Sequence, residues 1–238
     1  MIDIALSPAE ISHLKDTDLR ETTVVVFDVL RATSSMITGL AHGVARFFPV
    51  KTVEAAREWK KRKPDLLLAG ERHGVPPPGF DLGNSPSEFK NVRGQQIIIT
   101  TTNGTAALEQ VRNAKTVLLG ALVNVAALAE LIRFSSPEHL LLVCAGTGDR
   151  FSLEDAVGAG ALLASLKRTD YFDAAAMVHS LFRQVGDDLE ICLCHSQNGR
   201  ALFALGKEKD VRDCGRLSVY DTVGIMRDET VVALKMTV

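Results

Sequence analysis

A charge excess of either sign is missing from this chain of 238 residues: 27 Lys and Arg face 29 Asp and Glu, for a formal charge of −2. Surfaces that hold nucleic acid or anionic lipid carry a basic stripe or a strongly basic balance, so neither partner is expected. The one dense basic run, Lys60-Lys61-Arg62-Lys63, reads as the solvated end of a helix, where the backbone dipole favours cations. No stretch of about 18 apolar residues occurs. The start Met1-Ile2-Asp3-Ile4-Ala5 is too short and too acidic for a secretory signal, and a soluble cytoplasmic protein is expected. Four cysteines without a C-x-x-C pair exclude a disulfide scaffold. In Leu189-Glu190-Ile191-Cys192-Leu193-Cys194 they alternate with apolar residues, which reads as buried packing rather than as a zinc site with His195. Internal repeats, low-complexity segments and a Gly/Ser/Pro linker are also absent. The expectation is therefore one continuous unit over residues 1–238 with a C-terminal elaboration from about Arg168.

What is present is a hydrophobic content of 46%, enough for a sizeable core, and a repeated strand-then-helix order. Val24–Val29 precedes a helix near Thr33–His42, and Arg46–Val50 precedes one near Val53–Arg62. Asp65–Ala69 runs into a long loop. Gln96–Thr101, Thr116–Leu119 and His139–Ala145 precede helices near Thr105–Val111, Val125–Phe134 and Leu153–Leu166. That order predicts an α/β fold, with a largely parallel or mixed sheet flanked by helices on both faces. Short helices near Ala174–Arg183 and Gly199–Leu205 follow. A hairpin of Thr222–Met226 and Thr230–Leu234 around Arg227-Asp228-Glu229 closes the chain.

The richest segment is Val24-Val25-Val26-Phe27-Asp28-Val29-Leu30-Arg31-Ala32-Thr33-Ser34-Ser35. A β-branched apolar run reads as a strand covered on both faces, and the hydroxyl cluster caps a helix. Ligands of open α/β sheets gather at the carboxyl edge, where helix N-termini offer free N–H groups. Asp28 is thus a candidate metal ligand or nucleophile, Arg31 an anion clamp, and Thr33 to Ser35 a phosphate cradle. Thr100-Thr101-Thr102-Asn103-Gly104-Thr105 ends a second buried-type strand in the same manner, as an oxyanion nest or an ordinary helix cap. Gly146-Thr147-Gly148-Asp149 leads to Glu154 and Asp155, in the first turn of a helix. It is no dinucleotide fingerprint, because Phe151 stands where the third glycine belongs. From Gly70 to Pro86 runs a loop with three consecutive prolines and the charged start Glu71-Arg72-His73. A loop of this length is a functional wall or lid, or else a surface excursion ending in a Ser85-Pro86 helix start.

Phe27-Asp28-Val29-Leu30-Arg31-Ala32-Thr33-Ser34, Gly70-Glu71-Arg72 with Phe80-Asp81-Leu82-Gly83-Asn84-Ser85-Pro86, Thr101-Thr102-Asn103-Gly104-Thr105, and Glu154-Asp155-Ala156 with Ala159-Gly160 together resemble the 2-phosphosulfolactate phosphatase family over nearly the whole chain. The resemblance implies a magnesium-dependent phosphatase of coenzyme M biosynthesis that hydrolyses (R)-2-phospho-3-sulfolactate, or a related 2-hydroxy-acid phosphate ester. It also implies an α/β fold with helices on both sides of the sheet.

The residues suit that chemistry. Arg31 and Arg72 are placed to meet substrate anions, and Asp28, Glu71, Glu154 and Asp155 are the acids available to Mg²⁺. Asp28 and Asp155 are expected to converge on one ion, since parallel strands present their carboxyl ends on one edge. N–H groups near Thr33–Ser35 and Asn103–Thr105 would hold phosphoryl oxygens. The catalytic candidates are Asp28, Arg31, Glu71 and Asp155. The substrate-binding candidates are Arg31, Thr33, Ser34, Arg72, Thr101, Thr102, Asn103, Gly104 and Thr105, and the metal candidates are Asp28, Glu154 and Asp155. Aspartyl-phosphate enzymes often carry a second Asp two residues on, where this chain has Leu30. That favours attack by water over a covalent intermediate, with both routes open. A non-catalytic sensor of a phosphorylated metabolite uses the same nests without needing the acids, a nicotinamide-linked oxidoreductase lacks its glycine, and homo-oligomerisation is left open.

Overall fold

The computed structural model describes residues 1–234. Strands and helices alternate from the start: β1 (Ile2–Ala5), α1 (Pro8–His13), β2 (Thr22–Phe27), α2 (Ala32–Ala41), β3 (Arg46–Pro49), α3 (Val53–Arg62), β4 (Leu67–Gly70), β5 (Gln96–Thr100), α4 (Gly104–Gln110), β6 (Thr116–Gly120), α5 (Val125–Ser135), β7 (His139–Cys144) and α6 (Leu153–Leu166). Four helices follow, α7 (Asp173–Val185), α8 (Leu189–His195), α9 (Gln197–Ala204) and α10 (Glu208–Cys214), and then the hairpin β8 (Val223–Arg227) and β9 (Thr230–Leu234). No described helix is long and apolar enough to cross a membrane.

The nine strands of the described residues form one mixed sheet in the order β1-β7-β2-β6-β8-β9-β3-β5-β4. The first four pair in parallel, as do β3, β5 and β4. The hairpin was expected as a terminal appendage, yet it fills the middle of the sheet. Its strands pair antiparallel with β6 on one side and with β3 on the other, the latter through Phe47 and Val231. The apolar sequence explains the position, because Val223 and Val231 are almost wholly buried and such strands need neighbours on both edges.

Three successive antiparallel pairings mean that β3, β5 and β4 run opposite to β1, β7, β2 and β6. In a flat sheet the loops after β2 and β5 would lie on opposite edges, contrary to the single edge expected above. Twist removes the conflict. The five steps from β2 to β5, at roughly 20–25° each, rotate the second set by about 100–125°. The sheet thereby wraps α2, whose Met36, Ile37 and Leu40 pack against Val24 and Val26 of β2, Leu119 of β6, Val231 of β9, Phe47 of β3, and Ile97 and Ile99 of β5. The other face is covered by α5, α6 and α7 over the first set and by α3 over the second. Sequence patterning missed β1, α1, α8 and α10, all of them short. The alternation at Leu189–Cys194 belongs to helix α8, which leaves Cys192 and Cys194 half-buried.

Phe47 joins the two strand sets: its ring is fully buried and meets Phe89 edge-on at 5.5 Å between centroids. Phe47→Ala should cost about 3–5 kcal/mol, lowering Tm by roughly 6–20 °C in a thermal unfolding scan.

Candidate active site

The turn from β2 into α2 is built by its own hydroxyls. The Thr33 side chain accepts the Asp28 N–H at 3.1 Å and donates to the Asp28 carbonyl at 2.9 Å. Ser34 donates to the Val29 carbonyl at 2.8 Å. The N–H groups of Thr33 and Ser35 are bonded to the carbonyls of Asp28 and Arg31. Buried hydroxyls that find a local backbone partner are spent, so Thr33 and Ser34 shape the turn and do not reach the cavity. The anion seated at the N-terminus of α2 is the Asp28 carboxylate itself, whose Oδ1 accepts the Ala32 N–H at 3.0 Å.

Asp155 comes from the first turn of α6 and meets the same turn from the neighbouring strand. Its Oδ1 accepts the Val29 N–H at 2.8 Å and its Oδ2 the Gly146 N–H at 3.0 Å. Asp155 thus stands against the turn that carries Asp28, and the work it does there is to tie the ends of β2 and β7 together; it does not line the cavity. Glu154 is equally buried, and its Oε1 accepts from the Asn198 amide at 2.5 Å.

Glu71 enters from the end of β4. One carboxylate oxygen accepts from the N–H and hydroxyl of Thr102 at 2.8 and 3.0 Å, and the other from the Gly74 N–H at 2.9 Å. It thereby holds the loops after β4 and β5 against each other. Arg72, expected as a substrate clamp, turns elsewhere: its guanidinium donates to the carbonyls of Glu71 and Lys51 and to the Thr100 hydroxyl, and it does not line the cavity. Thr101 and Thr105 bond reciprocally at 3.0–3.2 Å, which fixes the start of α4 and occupies the Thr105 N–H. Of that nest, Thr102 and Asn103 face the cavity, and the Gly104 N–H faces Asp28.

These loops surround a cavity of about 400 Å³ lined by Asp28, Arg31, Glu71, Thr102 and Asn103. Its wall also carries residues that sequence reasoning had not chosen: Asn84 from the proline-rich loop, Thr147, and Asn198, Ala201, Leu202 and Leu205 from α9 and the residue after it. Arg31 reaches the wall with its charge already matched. Its guanidinium meets Asp210 of α10 at 2.5 Å, and it donates to Ser85 and to the Gly74 carbonyl, with both ionic side chains almost fully buried. Asp210 had no local signal, since nothing in Glu208–Cys214 distinguishes it from a surface acid. Asn84 stood inside a quoted motif but was not chosen as a ligand group.

Burial raises the Asp28 carboxyl from the ordinary 3.8 to about 7, and repulsion from Glu71 and Glu154 adds to the effect against the N–H groups of Ala32 and Gly104. Asp155 is raised as well, chiefly by burial and then by Glu154 and Asp28. Among the described residues, no three His, Cys, Asp or Glu side chains lie close enough together to hold a metal by themselves. Asp28 and Glu71 are the two carboxyls on the cavity wall.

A mixed α/β sheet that gathers carboxyls, amides and helix starts around one cavity is the frame of a small-molecule enzyme, and kinship makes it a phosphoric monoester hydrolase. Residues 8–229 match the family described as 2-phosphosulpholactate phosphatase, and the chain belongs to that family. It is 41% identical over 225 residues, covering 94% of both chains, to a probable 2-phosphosulfolactate phosphatase of Thermotoga petrophila. Proteins of the same printed name from Carboxydothermus hydrogenoformans (38%, covering 93% of this chain and 91% of the relative) and Deinococcus radiodurans (40%, 87% and 86%) are also similar.

Two outcomes follow from this geometry. A folded-state carboxyl raised to about 7 binds its proton more tightly than the unfolded chain does, so stability falls as pH climbs from about 4 towards 7. In EDTA at pH 8, Asp28→Asn should raise Tm by on the order of 10 °C, and the gap should narrow as pH falls and close only near pH 4, the unfolded-state value. At Gly104, an added Cβ would lie 2.6 Å from Asp28 Oδ2 and 2.7 Å from the Ala32 Cβ. Gly104→Ala should therefore displace the carboxyl and lower kcat/KM about 10–100-fold in a steady-state assay.

Proposed function

We propose that this chain hydrolyses 2-phospho-3-sulfolactate to 3-sulfolactate and phosphate, with Mg²⁺ as cofactor, as a single catalytic unit. The observation that carries the reading is the buried Asp28 carboxyl on a cavity wall where Arg31 is the one guanidinium or ammonium group among the described residues and is already paired with Asp210. An ester bearing phosphate, carboxylate and sulfonate would meet net negative charge there. His73 is the other basic side chain on that wall, and a cation bound with the ester would offset the remaining negative charge.

The donors suit a hard ion. Mg²⁺ takes oxygen ligands, commonly one or two carboxylates completed by water and substrate phosphate, and Asp28 and Glu71 are the residues that would hold it. When bound, the ion supplies positive charge to the phosphoryl oxygens. The chain's own groups do the rest. Ala32 and Gly104 orient Asp28 through their N–H groups, Thr102 and Gly74 orient Glu71, and Asp155 keeps the β2 and β7 turns at a fixed separation. The apolar side chains of Leu202 and Leu205 limit water around the ester. Attack of water on phosphorus breaks the bond to the 2-oxygen, which leaves with a proton as the hydroxyl of sulfolactate. Free thiols at all four cysteines suit a reducing compartment.

The test is phosphate release from 2-phospho-3-sulfolactate and 2-phospholactate. Turnover is expected with Mg²⁺, and it should stop with EDTA and return on adding the ion back. Tight binding of the esters without phosphate release would instead make the protein a sensor.

A further inference from the structure

We propose that this cavity also takes phosphate esters of 2-hydroxy acids whose third carbon carries an aliphatic group, with that group seated against α9; the inference rests on the phosphatase reading above. Asn198, Ala201, Leu202 and Leu205 all line the cavity. Their spacing, steps of three, one and three residues, puts side chains on one face of a helix. Three of the four are apolar. Leu30, two residues after Asp28, adds a further apolar side chain to the lining and shares a core cluster with Leu202. The apolar surface therefore begins at the turn that carries the buried carboxyl and runs along α9 to Leu205.

Leu205 is the informative member. Leu202 is almost wholly buried in the core, so its place on the wall follows from the fold. Leu205 is 42% exposed and is not part of any core cluster among the described residues. Its position is set all the same. A Cβ at Gly74 would lie 2.6 Å from Leu205 Cδ1, and Gly74 is held at its N–H by Glu71 and at its carbonyl by Arg31. A leucine kept beside the loop that carries Glu71, with much of its surface in water, gains when an aliphatic group covers it.

The same face has little to offer an anion. Its polar member, Asn198, has its amide N–H groups committed to Thr147 and Glu154. An unpaired charge placed against the leucines would lose its water without a donor in return. Size agrees, because about 400 Å³ lies in the range of cavities that bury drug-sized ligands. 2-Phospho-3-sulfolactate brings a single methylene to this surface, whereas the isobutyl group of a 2-hydroxy-4-methylpentanoate ester would cover it. The chemistry is unchanged: the oxygen of water bonds to phosphorus, the bond from phosphorus to the 2-oxygen breaks, and that oxygen leaves with a proton as a hydroxyl.

The test is Mg²⁺-dependent phosphate release from the 2-phosphate esters of lactate, 2-hydroxybutyrate and 2-hydroxy-4-methylpentanoate, with 2-phospho-3-sulfolactate alongside. Across the three, kcat/KM should rise by about 10-fold or more from first to last. Leu205→Ser, a change outside the core, should shrink that ratio by about 3–10-fold, and losses common to all esters cancel in it. A flat or falling series overturns the inference, as does a ratio that Leu205→Ser leaves unmoved. Turnover of 2-phospho-3-sulfolactate with none of the longest ester overturns it while the proposed function stands. Turnover of no ester rejects the proposed function instead, and calorimetric binding of the same esters then decides. The longest ester bound tenfold more tightly than the lactate ester, with the difference reduced in Leu205→Ser, supports the aliphatic seat; equal binding or none overturns it.

Discussion

The cavity depends on burying negative charge where the chain supplies few cations to match it. Asp28, Glu154 and Asp155 are nearly inaccessible, and burial opposes ionisation of Asp28 and Asp155 before any neighbour is considered. The fold answers with N–H groups. Ala32, Val29, Gly146, Gly74 and Thr102 each direct one at a carboxylate oxygen. Neutral donors of this kind orient an acid without cancelling its charge, so the acids remain available to a cation or a proton.

The second constraint is the path of the sheet. Asp28 follows β2 and Asp155 opens the helix after β7, and because these strands are parallel neighbours Asp155 can bond the Val29 N–H beside Asp28. Glu71 and Gly104 follow strands β4 and β5, which run the other way, and they reach Asp28 because the inserted hairpin lets a twisted sheet close around α2. That helix is buried along nearly its whole length, which explains why its sequence Ala32–Ala41 is apolar and small where a surface helix would show a polar stripe. Packing in the middle of the sheet and geometry at its edge are thus one problem.

This also explains what could be read from residues alone. Strands β2, β5 and β7 and helices α2, α3 and α6 are legible because a continuous apolar run or a capped amphipathic segment depends on local sequence. The carboxyl at the end of β2 is legible for the same reason. The hairpin was visible as a hairpin, but its place between β6 and β3 depends on pairing partners far along the chain, which periodicity does not encode. Arg72 shows the limit at the site. A guanidinium after a strand end is a sound candidate, but the carbonyls of Glu71 and Lys51 and the Thr100 hydroxyl were nearer partners than any ligand. Thr33 and Ser34 were claimed by the backbone in the same way.

The contribution of α9 and α10 was the least legible, and it gives the elaboration its purpose. A helix carrying Asn198, Ala201 and Leu202 has no chemical signature in sequence, yet it supplies one wall of the cavity and the amide that holds Glu154. Asp210 on the next helix pairs with Arg31 inside the protein. Such a pair is a weak source of net stability against an apolar alternative, but losing either partner leaves a buried charge exposed to a medium that cannot solvate it. The pairing therefore acts as a constraint on position: these helices can lie only where Asp210 meets Arg31, and Arg31 is fixed by the turn that carries Asp28. Through that one contact the C-terminal helices are aligned with the acids at the strand ends, and the wall they form is set at the depth of the cavity.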